Sequence, residues 1–295
     1  MASVLEELKQ NFTKGTALVK FIYVNVAVFL VYNLAYLLLF FWNQEDTAAY
    51  YITQWLAIPA SLPALLLKPW TIITYMFYHQ DIWHILFNML FLYWFGNIFL
   101  MYFDSKKFTS IYFLGGILGG IFYLTAFNTL SVFKGGSDFS VLLGASASVM
   151  AIVFAISLYV PNFKVNMLFF GEVKLIYIAL FTVVLDLIMI PKENPGGHIA
   201  HLGGALLGFL FVFQYRKGID ITKGFTKLID FIGSLFKPRK LKVAHKKPVN
   251  DMDYRKTKVD AQKEIDRILD KISKGGYESL TKEEKETLFR MGNSN

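Results

Sequence analysis

Apolar residues in this chain of 295 residues gather into long blocks separated by short polar breaks. A helix crossing the hydrocarbon core of a bilayer needs about 20 mostly apolar residues. Six blocks predict spans at roughly 18–42, 84–103, 108–130, 141–160, 172–190 and 198–215. Tight polar hairpins separate several of them: Asp104-Ser105-Lys106-Lys107, Pro161-Asn162-Phe163-Lys164, and the run from Pro191 to Gly197. The predicted fold class is all-α and polytopic, a six-transmembrane-helix bundle over 18–215 after a cytoplasmic segment at 1–17. The connection 43–83 is long for a membrane bundle. It carries Trp55, Pro59, Pro63, Leu65-Leu66-Leu67 and Trp70, a composition that predicts partial burial in the headgroup region.

Beyond residue 215 the pattern turns polar. Residues 216–258 hold thirteen Lys/Arg against four Asp, which reads as a basic juxtamembrane linker drawn to anionic lipid. Nothing else along the chain supports nucleic acid as a partner. From 259 to 295, Ile265, Ile268, Leu269 and Ile272 recur at helical spacing and Gly275-Gly276 closes the segment. Thr281 and Glu284 then have the spacing of a capping box that opens a second helix. The expectation is a small cytoplasmic helical hairpin, packing on itself, on another copy or on a partner.

Composition sharpens this picture. Charged residues make up only 18% of the chain and mean hydropathy is +0.42, against about 25% charged residues in soluble domains. There is no cysteine, so disulfides, thiolate metal sites and a cysteine nucleophile are excluded. The N-terminal residues lack the pattern of a cleaved signal peptide, so the first block reads as a retained span. Lys9, Lys14 and Lys20 precede the first span and the basic run follows the last, whereas Lys68, Lys134 and Lys192 are diluted by Glu45, Asp46, Asp138 and Glu193. The bias predicts both termini in the cytoplasm, as an even number of spans requires. The expected location is a bacterial cell (inner) membrane.

Polar groups inside a span are costly, so each is a functional candidate. The fourth span opens Gly144-Ala145-Ser146-Ala147-Ser148, which alone reads equally as a small-residue packing motif. The sixth opens Gly197-His198-Ile199-Ala200-His201 and continues to Gly204 and Gly208, a Gly-x-x-x-Gly surface for close helix contact. In the second, His84 and Asn88 lie four apart on one face, either as interhelical hydrogen-bonding groups or as donors to an anion. A serine hydroxyl needs a base to become a nucleophile, and acyl transfer needs donors for the oxyanion. If the fourth and sixth spans are neighbours, Ser146 and His201 meet at similar depth.

The ordered set Trp70 to Thr74, His79, His84, Asn88, Gly144-x-Ser146 and Ala200-His201-x2-Gly204-x3-Gly208 resembles the rhomboid family over about residues 65–215. The resemblance implies an intramembrane serine endopeptidase that cuts single-span membrane proteins near the outer leaflet. Ser146 would be the nucleophile and His201 the base of a catalytic dyad with no acidic third member. Asn88, His84 and the Ser146 N–H would form the oxyanion hole, and Gly144, Gly204 and Gly208 would serve helix packing. His79 matches a family histidine of structural character. His198 is a secondary candidate base. Asp186 could orient His198 or cap the 191–197 loop, and is expected close to the outer interface with access to water. No metal or other cofactor is implied. The sequence departs from the family pattern at Ala147, usually glycine, at Thr71, usually arginine, and at Met150, often aromatic. The alternative reading is a catalytically inactive rhomboid-like protein that binds membrane clients; a transporter would require inverted repeats, and no such symmetry is visible.

Overall fold

The computed structural model describes residues 4–133, 140–167, 171–235 and 251–292. Lys134 and Asp138 of the charge argument, and 236–250 of the expected basic linker, lie outside the described residues. The chain divides into two units, 1–236 and 237–295.

In the first unit α1 (Val4–Lys14) leads into α2 (Ala17–Phe40), followed by α3 (Glu45–Leu56), β1 (Ile58–Pro59), α4 (Leu62–Leu67) and α5 (Thr71–Thr74). Next come α6 (Ile82–Tyr102), α7 (Ser105–Thr129), β2 (Val141–Leu142) and α8 (Ser146–Tyr159). A hairpin of β3 (Lys164–Met167) and β4 (Gly171–Lys174) precedes α9 (Leu175–Met189), α10 (Pro195–Tyr215) and α11 (Lys223–Leu235). Four helices, α2, α6, α7 and α10, are long and apolar enough to cross a membrane, and α8 and α9 are shorter apolar helices. The chain is therefore a polytopic, mostly helical membrane protein.

Two expected spans are shorter than the hydrophobic pattern suggests. The block 141–160 contains a helix only from Ser146, because 141–142 pair antiparallel with 58–59 and Gly144 turns with φ of 110°. The block 172–190 is helical only from Leu175, because 171–174 pair with 164–167. At 1.5 Å per residue the 14 residues of α8 reach about 21 Å, well short of the ~30 Å hydrocarbon core. Every residue from Ala147 to Ser157 is buried, so α8 is the central helix, enclosed by its neighbours. Irregular backbone at its start is tolerable there because protein, not lipid, surrounds it.

Glycine sets how close those neighbours come. A methyl group added at Gly204 or Gly208 of α10 would collide with the carbonyl of Ala147 or Ala151 on α8. On α7 the pairs Gly115-Gly116 and Gly119-Gly120 are buried; a Cβ at Gly115 would meet the Ala151 methyl, and one at Gly119 would lie 2.5 Å from the Ala147 methyl and 2.8 Å from the Ala200 carbonyl. Gly119 thus makes room for the methyl that distinguishes Ala147 from the family's usual glycine. Without a hydrophobic drive between helices in lipid, such close backbone contact supplies the attraction through dispersion.

The 43–83 connection is more structured than an interfacial excursion. Trp55 and Trp70 stack with centroids 5.3 Å apart, and the Trp70 indole N–H donates to the Trp55 carbonyl at 3.0 Å. The Lys68 ammonium donates to the Gln54 carbonyl at 2.9 Å, and buried Thr71 donates to the Lys68 carbonyl at 2.7 Å. These bonds fasten the loop without an arginine at position 71. Ile58, Ala60, Tyr75 and Met76 are buried, whereas Tyr50, Tyr51, Leu66 and Leu67 are exposed.

The segment expected as a linker contains α11, whose Leu228, Phe231, Ile232 and Leu235 form an exposed apolar stripe at helical spacing. Lys106 pairs with Asp230 at 2.7 Å, and the Ser110 and Thr226 hydroxyls lie 3.1 Å apart. The second unit contains α12 (Asp251–Gly275) and α13 (Lys282–Gly292), so its first helix starts before the expected 259. The capping box forms: the Thr281 N–H donates to the Glu284 carboxylate at 2.8 Å and the Glu284 N–H to the Thr281 hydroxyl at 3.3 Å. A hydrogen bond from the Lys271 ammonium, then the Thr281 N–H, holds the Glu284 carboxyl down at about 2. Ile268 and Leu280 are the buried apolar contacts of this unit.

The glycine contacts give a direct stability test. Gly204→Ala should lower the thermal midpoint in detergent, with a cost of about 1–3 kcal/mol from overpacking. Gly224→Ala in α11, where an added methyl meets open space, should be neutral or slightly stabilising. Equal midpoints for the two variants would contradict the close approach of α10 to α8.

Candidate active site

The start of α8 is fixed from two directions before any reacting group is considered. The Gly144 N–H donates to the Tyr75 carbonyl at 2.9 Å, and the Ala145 N–H donates to His79 Nε2 at 3.1 Å. His79 is fully buried, and accepting at Nε2 assigns its ring proton to Nδ1. The Tyr75 hydroxyl in turn donates to the Gly116 carbonyl at 2.6 Å, tying this turn to α7. Gly144 is not the helix-packing residue expected of it. It sits outside the helix at positive φ, and a Cβ there would lie 2.6–2.7 Å from the His84 ring, so only glycine admits both the turn and the imidazole.

Ser146 is the first residue of α8 and is half-buried, whereas Ser148 is fully buried. Of the two, only Ser146 is accessible. Its hydroxyl makes no hydrogen bond among the described residues, His201 included. The first amides of a helix have no intrahelical acceptor, and the macrodipole makes this end favourable to negative charge.

Helix α6 begins where the Asp81 carboxylate accepts the His84 N–H at 2.8 Å. That cap sets His84 against Gly144, with its ring 5.0 Å from His79. Asn88, one turn on, is buried, and its amide donates to the His84 carbonyl at 2.9 Å. An amide nitrogen carries two hydrogens, so a second donor remains.

Helix α10 opens with Asn194 in the left-handed region at φ 43°, its side chain accepting the Gly197 N–H at 3.1 Å, and with Pro195 at the first helical position. His201 lies three residues, about one turn, before Gly204, whose backbone contacts Ala147 near the beginning of α8. The structure thus brings His79, His84, Asn88, Ser146 and His201 to one end of the bundle. Gly204 and Gly208 lie beneath them as packing contacts.

Asp186 differs most from expectation. It is not at the water interface but buried on α9, with 8% of its side chain exposed. Its Oδ1 lies 2.7 Å from His198 Nδ1 and 2.7 Å from His201 Nδ1, and its Oδ2 has no partner among the described residues. The sequence signal was present: Asp186 is the single charged residue within α9. Neither spacing nor family pattern joined it to His201. The donor atoms of Asp186, His198 and His201 lie within 4.8 Å of one another, as a cation would require. A tetrahedral zinc with ligands at about 2.0–2.2 Å would hold nitrogen and oxygen about 3.3 Å apart. The observed 2.7 Å is instead the length of a direct charge-assisted hydrogen bond.

Comparison with known proteins finds two family matches along the chain. Residues 67–218 match the Rhomboid domain, and residues 250–293 match a family of unknown function, DUF6576. The chain is 32% identical over 157 residues to RHOMBOID-like protein 12, mitochondrial, of Arabidopsis thaliana, covering 50% of this chain and 47% of that protein. It is 29% identical over 155 residues to Rhomboid-like protease 1 of Toxoplasma gondii, covering 51% and 48%. It is 26% identical over 159 residues to Rhomboid protein 1, mitochondrial, of Saccharomyces cerevisiae, covering 51% and 43%. The chain spans about half the length of the curated relatives it matches. Since the domain match takes in more than half of the residues and contains every polar group gathered around the start of α8, the chain belongs to the rhomboid family.

Proposed function

We propose that this protein is an intramembrane serine endopeptidase that cleaves single-span membrane proteins near the outer leaflet, with Ser146 as nucleophile and His201 as general base. The observation that supports the reading is the half-buried Ser146 at the start of an otherwise buried helix, next to which α10, the helix that carries His201, makes backbone contact at Gly204–Ala147. One of the three relatives is named a protease, which supports the same reading.

In this mechanism His201 takes the Ser146 hydroxyl proton as Oγ attacks the scissile carbonyl. The oxyanion receives the Ser146 N–H, the free amide hydrogen of Asn88 and the His84 side chain. His201 then returns the proton to the leaving amine, and water repeats the sequence on the acyl-enzyme. The Ser146–His201 hydrogen bond closes when substrate enters, as catalytic bonds left open in an unliganded site often do. Loosely packed α9, with only Leu175, Ala179 and Asp186 buried, and the 190–194 connection form the gate. The six apolar helices form a six-span bundle in which short α8 and α9 complete the crossing, in a bacterial cell membrane with both termini cytoplasmic. Two relatives bear mitochondrial names, and the charge bias of this chain bears on its orientation, not on which membrane holds it. The basic stretch and the α11 stripe bind anionic lipid, and the second unit serves self-association or a partner.

Ser146→Ala and His201→Ala should each abolish cleavage of a co-expressed single-span substrate while leaving a folded protein in the membrane. His198→Ala should retain measurable cleavage. Asn88→Ala should lower turnover by about 10–1,000-fold, the cost of one oxyanion donor. Undiminished turnover in Ser146→Ala or His201→Ala would favour the client-binding alternative or a different dyad.

The orientation is open to chemical labelling because the chain contains no cysteine. Thr47→Cys and Asn194→Cys should react with an impermeant maleimide in intact cells, and Asp260→Cys only after lysis. Labelling of position 260 in intact cells would invert the topology.

A further inference from the structure

We propose that Asp186 is the positioning residue of this site, holding His201 with its proton on Nδ1 and so leaving Nε2 as the nitrogen that accepts the Ser146 proton. The inference rests on the reading of Ser146 and His201 as a proteolytic pair, and it adds an acidic partner where the family resemblance implies none. A carboxylate can only accept, so the ring nitrogen 2.7 Å from its Oδ1 must be the donor. In a neutral imidazole a hydrogen on Nδ1 leaves the lone pair on Nε2. The opposite tautomer would present N–H to the serine and could not act as base.

The surroundings of Asp186 argue against a merely structural carboxylate. It is the only charged residue of α9, and burial in an apolar helix is costly unless its bonds compensate. Among the described residues both side-chain bonds go to the two histidines of α10, none goes to the 190–194 connection, and Oδ2 is unpartnered. The rings of His198 and His201 are nearly perpendicular, at 82°, with centroids 5.7 Å apart, and both aim Nδ1 at one oxygen. His198 therefore braces that oxygen from the outer side while His201 uses it from the inner side. This gives His198 a place in the site without making it a second base.

The test reads the ring nitrogens directly and turnover separately. Full-length protein carrying 15N-histidine, in lipid bilayers at mildly alkaline pH, should give a His201 signal with protonated Nδ1 and unprotonated Nε2, assigned by its loss in His201→Gln. Asp186→Asn should shift His201 toward the Nε2-protonated form and lower kcat by about 10–100-fold with KM within about twofold. Asp186→Glu, which keeps a carboxylate, should recover part of that loss. A His201 protonated on Nε2 in the unmodified protein would overturn the proposal, and that measurement stands even if Asp186→Asn fails to fold. So would folded Asp186→Asn with unchanged kcat. An unmodified protein that cuts nothing would overturn the proteolytic reading instead, while the ring-nitrogen spectra, which need no turnover, still decide the Asp186 bond.

Discussion

A helix of 14 residues can sit at the centre of a membrane protein only if its neighbours come close enough to shield its ends and sides. In this chain that shielding depends on backbone contact at glycine: Gly204 and Gly208 of α10 against Ala147 and Ala151, and the Gly115 to Gly120 stripe of α7 from another side. Lipid tails are as apolar as leucine, so nothing but packing and hydrogen bonds draws these helices together. Larger side chains at those positions would push α10 outward and carry His201 with it.

The same contact decides what chemistry is reachable. With α8 starting at Ser146, its first amides lie at the end of the bundle where α6 delivers His84 and Asn88 and α10 delivers its two histidines. The preceding turn is held by Tyr75, His79 and the β1–β2 pairing, so the first connection belongs to the scaffold of the site as much as to the interface. Every one of these polar groups is costly in hydrocarbon, and most are bonded: His79 to an amide, Asn88 to a carbonyl, both α10 histidines to Asp186.

Much of this was legible in the sequence because hydrophobic length and small-residue spacing are strong local signals. The blocks at α2, α6, α7 and α10 have the length of a bilayer crossing, and Gly204-x3-Gly208 marks a packing face. The true starts of α8 and α9 were not legible: Val141-Leu142 is as apolar as the helix it precedes and pairs with the distant 58–59, and 171–174 pair back on 164–167 in a local hairpin that the hydrophobic pattern does not mark. The α7 glycines carry no signal in the sequence, because a glycine within a span has no meaning until its neighbour is known. Asp186 was visible as an oddity, but its bond to His201 joins residues 15 apart on two different helices. Gly144 reads as a packing residue in its small-residue stretch, and a positive φ cannot be read from three residues of sequence.

The central claim is that Ser146 is an activated nucleophile and not one more small residue at a helix contact. Reaction of the full-length protein with a fluorophosphonate probe, followed by peptide mapping, addresses that claim without knowledge of a substrate. The account predicts a single adduct on Ser146, absent from His201→Ala that remains folded. Folded protein that takes up no probe, or an adduct on Ser148 or another serine, would contradict it.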